Sequence, residues 1–187
     1  MTDNPVTPTF DDVYTAYAER VLNLAFRLTG DEDVARDLCQ EIFVKVYQNL
    51  GTFERRSRVF TWIYRIAVNH IHNYLKKERR RRWVQLMDRK ISDIAREATV
   101  EPGRWGSATV PSSEKGLERS QRAQIVWDIV QTLEPKYRMP LVLHHYEGLS
   151  YKEIAETMQI SKSAVESRIH RAKKQLIKKL EPWADKI

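Results

Sequence analysis

The sequence predicts an all-α protein with two small helical domains joined by a flexible linker. Apolar residues recur at three- and four-residue intervals through two long stretches of the chain, which is the period of an amphipathic helix. No segment keeps the two-residue alternation of a half-buried strand. Between the two stretches, prolines, glycines and serines interrupt the helical period from about residue 96 to 115. We therefore place the domains at residues 10–90 and 118–182 and the linker at residues 91–117.

The first domain opens with two predicted helices. The first runs from Asp11 to Thr29, and Gly30 suits its C-terminal cap. The second follows the acidic run of residues 31–33, whose carboxylates are favourable at a helix N terminus, and it ends at Gly51. The residues predicted to face the core are Val13, Tyr17, Val21, Leu24 and Leu28 in the first helix and Val34, Leu38, Ile42 and Val46 in the second.

A third predicted helix runs from about Arg58 to beyond Lys77 and has a basic, polar face that includes Trp62. A large aromatic side chain among cations and amides suits stacking on an unpaired base. The pattern also fits a Trp62 that packs against another helix of the bundle, and both interpretations stay open. The packing stripe is Phe60, Ile63, Ala67, Ile71 and Tyr74. The opposite face is Arg58, Trp62, Arg65, Asn69, His72, Asn73 and Lys76, and the basic run continues through Arg82.

The C-terminal domain carries a helix-turn-helix pattern. Ser150 and Glu153 form a capping box ahead of a short helix that ends at Met158, and Ser161 is placed to cap a second helix. A short helix, a tight turn and a basic second helix make the geometry that enters a DNA major groove. The alternative is a solvated lysine-rich face, but the capping box and the three-residue turn favour DNA binding. The second helix has an apolar stripe of Val165, Ile169, Ala172, Leu176 and Leu180 and a polar face of Ser163, Ser167, His170, Arg171, Lys174 and Lys178.

Charge is distributed unevenly along the chain. The net charge is +7, yet residues 1–54 carry −6 and the remainder carries +13. The second predicted helix accounts for much of the acidic surface, with Asp37 and Glu41 turned away from its apolar stripe. Such a surface repels DNA and suits a basic protein, whereas the basic remainder suits a polyanion. The sequence therefore predicts two surfaces with different partners.

Several classes of protein are disfavoured by the sequence. Cys39 is the single cysteine, which fits a reducing cytoplasm, and we favour an inert core residue over a redox sensor. The histidine pairs at residues 70 and 72 and at residues 144 and 145 lack metal-ligand spacing, and no glycine-rich phosphate loop is present. The N terminus does not resemble a signal peptide, and no stretch approaches the ~20 apolar residues of a membrane span. We expect a soluble cytoplasmic protein without a catalytic site, metal or cofactor.

Three segments, in this order along the chain, resemble the extracytoplasmic-function (ECF) sigma factors of the sigma-70 superfamily. Residues 37–43, Asp-Leu-Cys-Gln-Glu-Ile-Phe, resemble the polymerase-binding helix of sigma domain 2. Residues 60–69, Phe-Thr-Trp-Ile-Tyr-Arg-Ile-Ala-Val-Asn, resemble its promoter-melting helix. Residues 147–155 and 167–172 resemble the helix-turn-helix of sigma domain 4. The similarity covers about residues 10–82 and 118–180.

The resemblance implies partners and site residues. The partners would be core RNA polymerase, through its β′ clamp and β flap, promoter DNA, and an anti-sigma factor. The polymerase contacts would be Asp37, Gln40, Glu41 and Val44. The minus-10 contacts would be Phe53, Arg58, Trp62, Arg65, Asn69, Asn73 and Lys76, with the loop at residues 53–57 helping to capture a flipped base. The minus-35 contacts would be Lys162, Ser163, Ser167, Arg168, Arg171 and Lys174.

Two other functions are weighed against this one. A conventional helix-turn-helix regulator accounts for residues 150–180 but gives no role to the acidic helix or to the basic face around Trp62. An enzyme acting on nucleic acid needs a cluster of carboxylates or histidines, and the sequence pattern reveals none. We therefore predict a non-enzymatic factor that directs polymerase to promoters and opens them.

Overall fold

The computed structural model describes residues 8–51, 53, 58–93 and 114–186, with side chains for residues 8–51, 53, 58–85 and 122–183. The helices are α1 (Phe10–Thr29), α2 (Glu32–Leu50), α3 (Val59–Asp93), α4 (Glu114–Gln131), α5 (Pro135–His145), α6 (Tyr151–Met158) and α7 (Lys162–Leu180), followed by a 3-10 helix at Glu181–Lys186. The described ranges contain no strand, and the predicted all-α architecture of two helical domains is confirmed.

The helices reach a few residues into the span predicted as linker. α3 continues to Asp93 and α4 begins at Glu114, whereas the predicted linker covers residues 91–117. Its residues 94–113 lie outside the described ranges. Of the predicted base-capturing loop, Phe53 is described and residues 54–57 are not.

Local sequence signals set the ends of the first two helices. Thr9 begins α1 with a capping box, in which its hydroxyl oxygen accepts from the Asp12 N–H and the Asp12 carboxylate accepts from the Thr9 N–H. Gly30 ends α1 with a φ of 77°, which a glycine adopts without strain. Asp31 then caps α2 by accepting from the Val34 N–H at 3.0 Å. The predicted Gly30 cap and the acidic start of α2 are confirmed.

The first domain is built from α1, α2 and α3, with α1 packed along α2 and α3 packed against both. Most of the residues predicted to face this core are buried. Four of them, Tyr17, Val34, Phe60 and Tyr74, are half-buried and pack at its edge. The fully enclosed members are Val13, Val21, Leu24, Leu28, Leu38, Ile42, Val46, Ile63, Ala67 and Ile71.

The second domain places α7 against α5 and α6. The Ser150 capping box and the Ser161 cap are both present, with Ser161 accepting from the Ala164 N–H at 3.2 Å. Gln159 turns the chain between α6 and α7 in a left-handed conformation with a φ of 54°. The predicted stripe of α7 is buried at Val165, Ile169 and Ala172. The helix-turn-helix therefore forms as the sequence predicts.

The two domains also pack against each other, which periodicity does not predict. α6 lies along α3, and α5 lies against α1. Phe26 of α1 stacks on Trp127 of α4, with ring centroids 5.1 Å apart and planes 24° from parallel. Beside this stack, the Gln131 side chain donates a hydrogen bond to the Arg27 carbonyl oxygen at 3.0 Å. The two domains are therefore in direct contact through several of their helices.

Candidate nucleic-acid interface

The predicted polymerase-contact residues share one exposed side of α2. Asp37, Gln40 and Glu41 are exposed, and Val44 retains 54% of its surface. The Glu41 carboxylate lies 2.7 Å from Nε2 of His70 on α3. This contact orients the Glu41 side chain, which remains exposed to solvent. The structure brings all four residues together as a surface of acids, an amide and an aliphatic side chain.

An apolar groove that the sequence pattern missed adjoins this surface. Tyr14 of α1 and Tyr47 of α2 are 49% and 67% exposed, although both are large aromatic residues. The groove is lined by Phe10, Tyr14, Gln40, Phe43, Val44, Tyr47 and Gln48. Tyr47 lies three residues after Val44, which places both on the same side of α2, and this spacing is the signal that would have extended the predicted surface.

Trp62 is buried, so of the two interpretations left open for it the structure favours packing over an exposed ring. Its residue surface is 8% exposed, and its ring lies 5.1 Å from that of Phe53, centroid to centroid. Phe53 follows α2, and it packs against the hydrophobic core that includes Trp62. The packing alternative therefore holds, with an aromatic residue of the connecting segment as a partner. A helical wheel misses it because the wheel identifies faces of helices and ignores connecting segments.

The other predicted minus-10 residues remain on the surface of α3. Arg58, Asn69, Asn73 and Lys76 are exposed, and Arg65 is half-buried. Partial burial, followed by the positive charges of Lys76 and Arg168, lowers the pKa of His72, so this face keeps a neutral imidazole among its cations near neutral pH. Further along α3, Arg79, Arg81 and Arg82 are exposed and extend the positive track.

The predicted minus-35 residues lie on α7 and its N-terminal turn. Lys162, Ser163, Ser167, Arg171 and Lys174 are exposed, and Arg168 is half-buried. Two of them already have partners within the domain. Lys162 pairs with Glu166 at 3.8 Å, and a hydrogen bond from Arg171 lowers the pKa of the Tyr137 phenol on α5. The structure thus assembles one polar, basic face along α7.

The described part of the chain contains no cluster of side chains that could bind a metal ion. No group of three or more histidine, cysteine, aspartate or glutamate side chains is close enough there to hold a metal ion. The Cys39 thiol is half-buried, 3.7 Å from the Ala18 carbonyl oxygen, and burial raises its pKa. A thiol with a raised pKa is a poor nucleophile, which favours the core interpretation.

Among the described helices, none has the length and hydrophobicity to cross a membrane.

The fold and these faces define an all-helical protein whose second domain is a helix-turn-helix. Residues 13–81 match the family described as Sigma-70 region 2, and residues 123–176 match the family described as Sigma-70, region 4. The chain is 35% identical over 174 residues to the RNA polymerase sigma-H factor of Pseudomonas aeruginosa, covering 92% of this chain and 86% of that one. It is 33% identical over 174 residues to the ECF RNA polymerase sigma-E factor of Escherichia coli K12, covering 92% and 87%.

Two solved structures share the fold. The sigma factor RpoE of Bartonella quintana, in complex with the anti-sigma factor NepR, superposes with a TM-score of 0.64 at 22% identity, covering 92% of this chain and 96% of that one. CnrH, in complex with the cytosolic domain of CnrY, gives a TM-score of 0.61 at 21% identity, covering 92% and 88%. The chain belongs to the sigma-70 family as an RNA polymerase sigma factor of the ECF type. The predicted resemblance and function are confirmed.

Proposed function

We propose that this chain binds core RNA polymerase through α2, holds the minus-10 strand on α3 and places α7 in the minus-35 duplex. The observation that carries the proposal is that one chain presents an exposed acidic side of α2 together with basic faces on α3 and α7. The two kinds of surface suit a basic protein and a polyanion, respectively. We assign no catalytic residue, metal or cofactor, and we place the protein in the bacterial cytoplasm, with the nucleoid when bound to polymerase.

The polymerase contact is assigned to Asp37, Gln40, Glu41 and Val44. Exposed acids around an aliphatic residue match a basic helical partner such as the β′ coiled coil, because the acids provide orientation and Val44 provides apolar contact. The second domain would contact the β flap. An anti-sigma factor is a further proposed partner. The structure of RpoE, which contains the anti-sigma factor NepR, supports this proposal, and CnrH was likewise solved with a protein partner, the cytosolic domain of CnrY.

The minus-10 contact is assigned to Phe53, Arg58, Arg65, Asn69, Asn73 and Lys76. Arginine and lysine neutralise phosphates, while asparagine donates to and accepts from base edges. Trp62 keeps a place in this site as the ring that supports Phe53. A base that leaves the duplex stack costs a few kcal/mol, which aromatic stacking and polar contacts can offset without ATP.

The minus-35 contact is assigned to Lys162, Ser163, Ser167, Arg168, Arg171 and Lys174. We expect Arg171→Ala to weaken binding to a minus-35 duplex and to reduce the slope of log affinity against log salt by about 0.9, the value for one phosphate contact. Fluorescence anisotropy over a range of salt concentrations measures both quantities. Lys173→Ala is the matched control, because Lys173 is an exposed cation on another side of α7. A slope that Arg171→Ala leaves equal to that of the control removes Arg171 from the contact.

The competing function is that of a conventional helix-turn-helix regulator. Such a protein uses the α7 face but does not require the exposed acids of α2 or the cations of α3. The two functions differ in one property, since a conventional regulator does not confer promoter-dependent initiation on core polymerase alone. The acidic side of α2 is the observation that favours the sigma function.

A further inference from the structure

The far end of α3 carries an exposed tryptophan. Trp83 retains 60% of its surface, and within the described part of the chain its ring makes no stacking or cation–π contact. A single apolar side chain at the surface is ordinary and by itself indicates nothing. The position of Trp83 on the helix and the charges beside it distinguish it from such a residue.

Trp83 continues the side of α3 that carries the proposed minus-10 contacts. It follows Arg65 by about five full turns of the helix at 3.6 residues per turn, so the two residues lie on the same side. Lys76 lies within about 20° of that direction, and Trp83 is about 10 Å beyond Lys76 along the helix axis at ~1.5 Å per residue. A strand that follows this side of α3 past Lys76 therefore reaches Trp83 next.

The segment that leads to Trp83 is strongly basic. Residues 76–82 contain six lysines and arginines and one glutamate, which gives a net charge of +5. The glutamate, Glu78, is shared by Arg81 and Arg82, which lie 3.5 Å and 3.3 Å from its oxygens. One carboxylate leaves most of this positive charge uncompensated, so a polyanion is the complementary partner.

Arg80 is the cation best placed to act together with Trp83. It lies three positions before Trp83, which makes the two side chains neighbours on the helix surface. Arg79 is also close to Trp83 along the helix, but it forms a 3.4 Å ion pair with Glu134 of α5. Arg80 is exposed and has no hydrogen-bond or ion-pair partner among the described residues. An unpaired guanidinium beside an open indole offers one group for a phosphate and another for a base.

We propose that Trp83 and Arg80 form a binding site for single-stranded nucleic acid, in which an unpaired base stacks on the indole and Arg80 contacts the adjoining phosphate. A duplex does not suit this site, because its bases are already stacked on one another. A melted promoter strand and a transcript share the required chemistry. Use of the site on a promoter strand rests on the proposed function, whereas binding of a single strand by the free chain does not.

The test measures binding of the full-length chain to three labelled probes by fluorescence anisotropy. Each probe has about 12 nucleotides, which at ~3.4 Å per nucleotide equals the length of α3 from Arg58 to Trp83. Two probes carry bases, oligodeoxyuridine and oligouridine, and the third is an abasic deoxyribose strand that keeps the phosphates. Trp83→Ala should weaken binding of the base-bearing strands roughly fivefold or more, as expected when one stacked base loses its platform, and should leave binding of the abasic strand unchanged.

Val84→Ala is the matched control for Trp83→Ala, because Val84 is also an exposed apolar residue of α3 and lies about 100° away around the helix. Trp83→Phe should recover most of the lost affinity, since it retains an aromatic ring. Affinities of Trp83→Ala that equal those of Val84→Ala for both base-bearing strands overturn the site. A loss of the same size on the abasic strand also overturns it, because no base can stack in that probe.

Arg80→Gln tests the phosphate contact. It should weaken binding of all three probes and reduce the slope of log affinity against log salt by about 0.7, the value for one phosphate of a single strand. Arg81→Gln is its control, since it removes the same charge on another side of α3, where Arg81 pairs with Glu78. Slopes that are equal in the two variants remove Arg80 from the site.

The two base-bearing probes also distinguish the sources of the strand. A Trp83→Ala loss that is larger with oligodeoxyuridine supports a melted promoter strand as the ligand, and a loss that is larger with oligouridine supports a transcript. Failure of the sigma function is distinct from failure of the site, since it leaves strand binding by the free chain intact while core polymerase does not initiate.

Discussion

Trp62→Ala is expected to destabilise the first domain by about 3 kcal/mol, at the lower end of the range for truncating a buried tryptophan. The indole ring is enclosed and lies against Phe53, so its removal leaves a cavity and frees Phe53. Equilibrium urea unfolding, followed by circular dichroism, measures the change in the free energy of unfolding. Trp83→Ala is the matched control, because Trp83 lies on the same helix and is 60% exposed. We expect the control to change stability by no more than ~0.5 kcal/mol.

This result would change how a transcription defect in Trp62→Ala is interpreted. A destabilised first domain loses polymerase binding and promoter opening together, whereas loss of a base-stacking ring alone affects opening. Trp62→Phe helps to separate the two effects, because it retains an aromatic ring of reduced size in the same place. An unfolding free energy that is the same in Trp62→Ala and Trp83→Ala would contradict the enclosed position of Trp62.

Glu41→Lys is expected to weaken association with core polymerase roughly tenfold or more, which corresponds to about 1.4 kcal/mol. The substitution replaces an exposed acid with a cation in the middle of the proposed contact and breaks the interaction with His70. A basic partner then meets a like charge, which costs both association rate and affinity. Competition with a labelled sigma factor for purified core polymerase measures the change.

The control for Glu41→Lys is Glu32→Lys on the same helix. Glu32 is exposed and pairs with Arg36, and it lies on the side of α2 opposite Glu41. Both substitutions change the net charge equally, so a difference between them reports position rather than charge. Equal affinities for core polymerase would remove Glu41 from the contact and would weaken the assignment of the acidic side of α2.

The features that could be predicted from the sequence are those set by neighbouring residues. Gly30, Asp31, Ser150 and Ser161 act on backbone groups within four positions, so their roles as caps follow from spacing alone. The apolar stripes of α1, α2 and α7 likewise follow from the helical period. The sequence pattern does not identify Thr9 as the cap of α1, because the first core-facing residue of the predicted stripe is Val13, whereas the helix itself begins at Phe10.

The features that could not be predicted depend on contacts between distant segments. Trp62 is covered by Phe53, and Tyr64 meets Glu147 across 83 positions of sequence. Periodicity identifies which side of a helix is apolar but does not say which side another domain covers.

The central claim is that this chain makes core polymerase initiate at promoters. Transcription of fragmented genomic DNA by purified core polymerase, with and without the chain, followed by sequencing of transcript 5′ ends, tests it most directly. We predict discrete start sites that appear when the chain is added and share two upstream sequence elements about 25 base pairs apart, about 85 Å of duplex. Start sites that are the same with and without the chain would contradict the claim.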